Sequence, residues 1–307
     1  MPNRTQENAP MRAEKPIDAL KRKLNDTSVQ AQFANAWREN KDTFIASIIE
    51  LFSGDTTLQQ CDTTLLIKEA LKAAVLKLPL TKSLGFAYIV PFSNSRKIRN
   101  EATGTDEWVK ILTPTFVLGY KGYVQLAMRT GQYKTINADV VYEGEFVSSD
   151  KLTGTVDLSG EKTSDKVVGY FAHYELLNGF RKTLYMPVRD IATYAKRYSP
   201  SIAKTTTVDV LIAKANETVS QKKSGWEGNF NDMALKTVIR RLLSKYGYLS
   251  VEMINAASSD PDSDEWSERD AVINGEANKQ KLDIADAEYE EVKQPQPNPQ
   301  AQSGPDY

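Results

Sequence analysis

The period of the hydrophobic pattern changes twice along the chain, and this restricts the fold more than any count does. From Val29 to Phe52 apolar residues fall at Phe33, Ala36, Trp37, Phe44, Ile45, Ile48, Ile49 and Phe52, a helical spacing closed by Gly54. Asp62 is placed to cap a second amphipathic helix with Leu65, Leu66, Leu71, Ala74, Val75 and Leu78 on its buried side; Pro79 ends it. The texture then turns β-rich. Leu84–Phe92 and Trp108–Leu118 read as the arms of a long hairpin whose polar tip contains Arg96, Lys97 and Arg99. Gly119–Thr130 reads as a short helix with Tyr123, Leu126 and Ala127 inward, ended by Gly131. Strand-like runs follow at Lys134–Tyr142, Lys151–Leu158, Val167–Leu177 and Phe180–Val188, the last two joined by the hairpin-turn pair Asn178-Gly179. Helical spacing returns near 189–198, 207–223 and 232–246. Strands joined by short turns and bracketed by helices predict an α+β fold. It has a largely antiparallel sheet with flanking helices and an extended hairpin, in a single core domain.

The ends differ in composition from this body. Residues 1–28 are polar, with Pro2, Pro10 and Pro16 among charges, and are expected to form a disordered N-terminal arm. Residues 258–307 are rich in Asp, Glu, Gln and Pro and are expected to be an acidic, mostly disordered tail for partner binding, with a short helix around Leu282 to Tyr289. Residues 29–257 remain as the core. The net charge of −1 conceals a segregation: the tail holds 13 acids against four bases, leaving the rest of the chain at +8. Within that, residues 181–250 hold 13 bases and five acids. A basic body followed by an acidic tail fits a polyanionic partner, and a solvated surface with a solubilising tail has the same arithmetic. If the tail folds back on the body as a competitor of that polyanion, deleting residues 258–307 tightens the body's binding to it.

Several chemistries are excluded early. One cysteine (Cys61) and one histidine (His173) allow no disulfide framework, no Cys/His zinc site and no Cys–His dyad. No window approaches ~20 apolar residues and the first thirty residues carry no apolar signal core, so a cytoplasmic protein away from the membrane is expected. No G-x-x-x-x-G-K-[ST] run is present, and the nearest fragment, Gly131-Gln-Tyr-Lys-Thr, leads into a strand. Asp139, Glu143 and Glu145 alternate along one strand-like segment, as metal-dependent phosphodiester cleavage would want, although a solvent-facing strand edge gives the same pattern. His173 lies in an apolar β run and reads as a hydrogen-bonded, half-buried histidine. No catalytic residue, metal or cofactor is expected.

Basic residues recur where they have little else to do. In Asn231–Tyr246, capped by Asn231 or Asp232, the stripe Leu235, Val238, Ile239, Leu242 and Tyr246 leaves Lys236, Arg240, Arg241 and Lys245 on the side expected to be exposed. Lys236/Arg240 and Arg241/Lys245 are like charges four apart, which disfavours the helix by a few tenths of a kcal/mol per pair unless an anion sits there. Between Arg189 and Lys204, Tyr194 and Tyr198 interleave with Lys196, Arg197 and Lys204. Aromatics beside cations suit a single strand, through base stacking and backbone neutralisation; tyrosines packing inward explain the pattern equally. Around Gly119-Tyr-Lys-Gly-Tyr, glycines at a helix mouth with Lys121, Arg129 and Lys134 nearby suit a phosphate, and simple turn geometry suits them too.

At these residues the chain becomes recognisable. Leu78–Phe92 (LPLTKSLGFAYIVPF), Phe116–Glu145 (FVLGYKGYVQLAMRTGQYKTINADVVYEGE) and Phe230–Tyr246 (FNDMALKTVIRRLLSKY) resemble the RecT family of phage and prophage recombinases, ATP-independent single-strand annealing proteins. The likeness runs in order over roughly residues 30–255 and does not reach the tail. It implies a binding protein of homologous recombination rather than an enzyme, working in the bacterial cytoplasm on the nucleoid. It also implies rings or helical filaments that hold single-stranded DNA in a basic groove and grip the annealed duplex. The implied partners are a phage 5′→3′ exonuclease and the host single-strand-binding protein, both associated with the C-terminal region. The residues expected to contact DNA are Lys121, Arg129, Lys134, Lys196, Arg197, Tyr198, Lys204, Lys236, Arg240, Arg241 and Lys245. Arg96, Lys97 and Arg99 are expected to touch DNA or a neighbouring protomer, and the helices of residues 29–78 to join protomers. The rival readings are a metal-dependent nuclease and a phage adaptor that binds no DNA.

Overall fold

Helices come first, then a hairpin, one helix, a three-stranded sheet, and helices again. The computed structural model describes residues 14–99, 104–199, 201–217, 225–248 and 250; the expected tail, the first 13 residues of the expected arm and part of the expected helix at 207–223 lie outside the described residues. The helices before the first strand are α1 (Pro16–Leu24), α2 (Thr27–Trp37), α3 (Lys41–Ser53) and α4 (Thr63–Val75). Then follow β1 (Ala87–Arg99), β2 (Asp106–Leu118), α5 (Tyr120–Arg129), β3 (Tyr133–Tyr142), β4 (Ser148–Ser149), β5 (Val156–Asp157), β6 (Val167–Leu176) and β7 (Arg181–Pro187). The described chain closes with α6 (Val188–Tyr198), α7 (Val208–Lys214), α8 (Gly225–Gly228) and α9 (Phe230–Tyr246). All strand pairing is antiparallel, giving an α+β fold as expected.

The arm orders earlier than its composition suggests. Residues 16–24 form α1 with Pro16 in the first turn, where a missing N–H is no loss. Its few apolar residues are spaced so that Leu20 and Leu24 are buried, with α1 lying against α3 and α4. The run from Val29 resolves into two helices, α2 capped by Asp26 and α3 ended at Gly54, with a 3-10 turn at Arg38–Asn40 between them. On α4 the buried face is rotated from the expected one. Leu66, Ile67, Ala70, Ala73 and Ala74 are inside, whereas Leu65 and Val75 are exposed. Three alanines bring α4 close to its neighbours, and its Glu69 carboxylate accepts the N–H of Phe116 at 2.9 Å, tying α4 to β2.

β1 and β2 pair without a break from Ala87↔Leu118 to Arg99↔Asp106. The stretch expected as a polar tip is therefore largely regular strand, with Arg96 opposite Val109 and Lys97 opposite Trp108. Among the described side chains of the hairpin, the buried ones lie toward its base, at Ala87, Ile89, Pro114, Phe116 and Leu118. The expected strand Lys151–Leu158 shrinks to a two-residue bridge between β4 and β5. The central sheet has the order β3–β6–β7. Alternation along β6 sends Tyr170, Ala172 and Tyr174 to the covered face, where α9 packs across all three strands.

Candidate nucleic-acid interface

The last helix is the most enclosed part of the basic region. Asn229 caps α9 by accepting the N–H of Asp232, so the cap lies two residues before the earlier of the two expected positions. The expected stripe is buried at Leu235, Val238, Ile239 and Leu242. The opposite side is not open, however. Lys236 is 4% exposed and Arg240 7%, correcting the expectation that both face solvent. The reason is packing on a second side: α5 lies along α9, and Tyr194 of α6 reaches Arg240. A buried cation is tolerable only among hydrogen-bonding groups, and Arg240 Nη2 donates to the Tyr194 hydroxyl at 2.5 Å. Arg241 is half-buried, Lys245 is exposed, and Tyr246, expected inside, is 39% exposed.

The two clusters that look separate in sequence meet here. The Arg241 guanidinium carbon lies 5.4 Å from the centre of the Tyr194 ring. Tyr194 and Tyr198 have ring centres 4.8 Å apart with a 54° tilt. Arg197 stands 5.0 Å from the centre of the Tyr198 ring. Of the two tyrosines, Tyr194 packs inward and Tyr198 is half-buried. Lys196, Arg197 and Lys204 are exposed. Exposed cations and a half-buried aromatic ring thus share this surface.

The other expected residues are distributed around the body. Lys121 is exposed at the start of α5, 5.9 Å from the Tyr120 ring. The neighbouring glycines have a packing reason: a Cβ on Gly119 or Gly122 would lie 2.2 Å from the carbonyl oxygen of Gly85 or Phe86. Arg129 bonds the carbonyls of Leu76 at 2.6 Å and Lys77 at 3.0 Å, closing the C-terminal end of α4. Lys134 pairs with Glu175 across the sheet at 2.8 Å, and that hydrogen bond holds the Glu175 carboxyl below the usual range. Lys97 pairs with Asp106 at 2.9 Å within the hairpin, and Arg99 is exposed. Sequence reasoning missed Lys182. The Asn178-Gly179 turn sets its register opposite Tyr174, on the α9 side, and its ammonium lies 5.2 Å from the Tyr246 ring. Lys245 lies 5.1 Å from the same ring, so counting outward from the turn would have found the pair.

The carboxylates of the nuclease reading serve other partners. Glu143 accepts from Ser164 at 2.8 Å and faces Lys166, which together lower its pKa. Glu145 accepts the N–H of Tyr142 at 2.7 Å, and Asp139 that of Val140 at 2.8 Å. Among the described residues, no three His, Cys, Asp or Glu side chains are grouped to hold a metal ion. His173 is half-buried, with Nδ1 2.8 Å from the Thr183 hydroxyl, and burial lowers its pKa. No described helix is long and apolar enough to cross a membrane.

Comparison of the sequence with known proteins identifies the family. The chain is 35% identical over 277 residues to the uncharacterized protein YqaK of Bacillus subtilis (strain 168), covering 90% of this chain and 83% of that one. It is 30% identical over 213 residues to Protein RecT of Escherichia coli (strain K12), covering 66% of this chain and 65% of that one. The model of the RecT family matches residues 42–274, a span that takes in the hairpin, the central sheet and α9. The chain is a member of the RecT family, proteins of DNA recombination by single-strand annealing.

Proposed function

We propose that this chain binds single-stranded DNA along the surface formed by α6 and α9 and anneals complementary strands without ATP or metal. The observation that carries the reading is the convergence of Arg197, Tyr198, Tyr194 and Arg241 on one surface of a chain from an annealing family. Lys196, Lys204 and Lys245 add exposed cations on and beside α6 and α9, and Lys121 one at the start of α5; Arg96, Lys97 and Arg99 of the hairpin strand are taken to touch DNA or a neighbouring protomer. Cations neutralise the phosphate backbone whatever the sequence, while base pairing with the incoming strand supplies the discrimination. The chain then acts on DNA by positioning alone, makes and breaks no covalent bond, and retains the annealed duplex.

Weak phosphate contacts on each copy add along a strand, so a homo-oligomer, ring or filament, is the working form. Its partners are a phage 5′→3′ exonuclease that exposes the strands and the host single-strand-binding protein that otherwise covers them, on the bacterial nucleoid. The acidic residues 258–307 are the segment for those partners. Binding of a labelled single strand, followed across a salt series, tests the DNA reading. Affinity should fall linearly in log–log form as salt rises, with a slope of about −0.7 for each phosphate neutralised. Binding that ignores salt, or no binding at low salt, would overturn it.

A further inference from the structure

Arg241, Tyr194, Tyr198 and Arg197 form a continuous ladder, cation–ring–ring–cation, that crosses from α9 to α6. Its two end rungs are the charged ones, and its inner ring is fixed. Tyr194 is 7% exposed and its hydroxyl is held by the equally buried Arg240. Swinging the side chain to another χ1 rotamer would carry the hydroxyl away from Arg240, and the packing around the buried ring holds it in place, so the ring is a stationary support. An arginine on a free surface samples many rotamers, whereas a guanidinium held beside a fixed ring samples fewer and keeps its donors aimed.

We infer that Tyr194 is a positioning residue for strand binding. It orients Arg241 directly and Arg197 through Tyr198, so that two helices present a pre-set pair of guanidiniums to one DNA strand. The inference rests on the DNA-binding reading above and adds a mechanism to it. Tyr194 itself touches no DNA; its contribution is rotamer order in groups that do. A lysine would serve as well as Arg241 if only charge mattered, and it would not serve if the guanidinium's contact with the Tyr194 ring mattered.

The test uses the full chain and a labelled oligothymidylate, with binding followed by anisotropy across a salt series and folding followed by circular dichroism. Tyr194→Leu should weaken binding roughly five- to tenfold, the loss of its cation–ring contact with Arg241 and of its support for Tyr198. Tyr194→Phe, which keeps the buried ring but gives up the bond from Arg240, should restore part of that loss. In an Arg197→Ala/Arg241→Ala background, Tyr194→Leu should change nothing further, because it acts only through those arginines. An equal loss in both backgrounds would mark Tyr194 as merely structural and overturn the inference. If Tyr194→Leu does not fold, Arg241→Lys carries the test: it should lose most of what Arg241→Ala loses, and affinity equal to the original chain's would overturn the inference. A chain that binds the oligonucleotide normally without either arginine overturns the ladder alone. An original chain that binds no single strand at low salt overturns the DNA reading and the ladder with it.

Discussion

Single residues in this chain are held by identifiable bonds, and two of them give direct tests. Asp62 caps α4, its carboxylate accepting the N–H groups of Thr64 at 2.7 Å and Leu65 at 2.9 Å. Asp62→Ala should lower stability by about 1 kcal/mol, read by thermal or denaturant unfolding. The bond from Leu65 foremost lowers the Asp62 pKa from its ordinary 3.8, against the opposing effect of burial. The folded state therefore binds this proton less readily than the unfolded chain does. The contribution is complete above 3.8 and disappears as pH falls through the lower folded value. Gly122 tests the origin of the Gly119–Gly122 pattern. A Cβ there would press on the backbone oxygen of Phe86 at 2.2 Å, so Gly122→Ala should destabilise the fold by roughly 1–3 kcal/mol. Unchanged thermal stability with weakened DNA binding would instead assign the glycine to a phosphate.

At the scale of elements, α9 divides its cations by burial, and the division predicts two kinds of mutant. Arg241→Ala and Lys245→Ala should each flatten the salt dependence of DNA binding by about one charge with little change in melting temperature. Arg240→Ala should act mainly on stability, by roughly 1–3 kcal/mol, since it removes a buried hydrogen bond to the Tyr194 hydroxyl. Lys236→Ala falls in the same class through its burial. Equal salt slopes and equal melting shifts across all four variants would contradict the division. The sequence pattern located this helix and its apolar stripe but not the second covered side, because a stripe reports where apolar residues lie and says nothing of what packs opposite. The same reason accounts for α4, where several small and apolar residues fit two neighbouring faces and α1 and β2 decide between them. α1 itself was hidden by brevity: nine residues with three large apolar side chains among charges look like an arm until α4 is there to receive Leu20 and Leu24.

At the scale of the whole molecule, the order of elements was legible because each carried a strong local signal. These signals are the Asn-Gly turn, the helix-ending glycines and the alternation along β6. The interface was legible only in parts. Tyr194 and Arg240 are 46 residues apart, and nothing local says that α6 and α9 meet. Their meeting turns two modest basic clusters into one surface, and annealing is the activity that surface and the family together support. The most direct test is the rate at which the purified chain pairs two complementary fluorescent oligonucleotides in EDTA, without nucleotide. The account predicts strong acceleration over the strands alone, fading as salt rises, with both strands intact when magnesium is restored. No acceleration under conditions where the chain binds single strands, or shortened strands with magnesium, would contradict it.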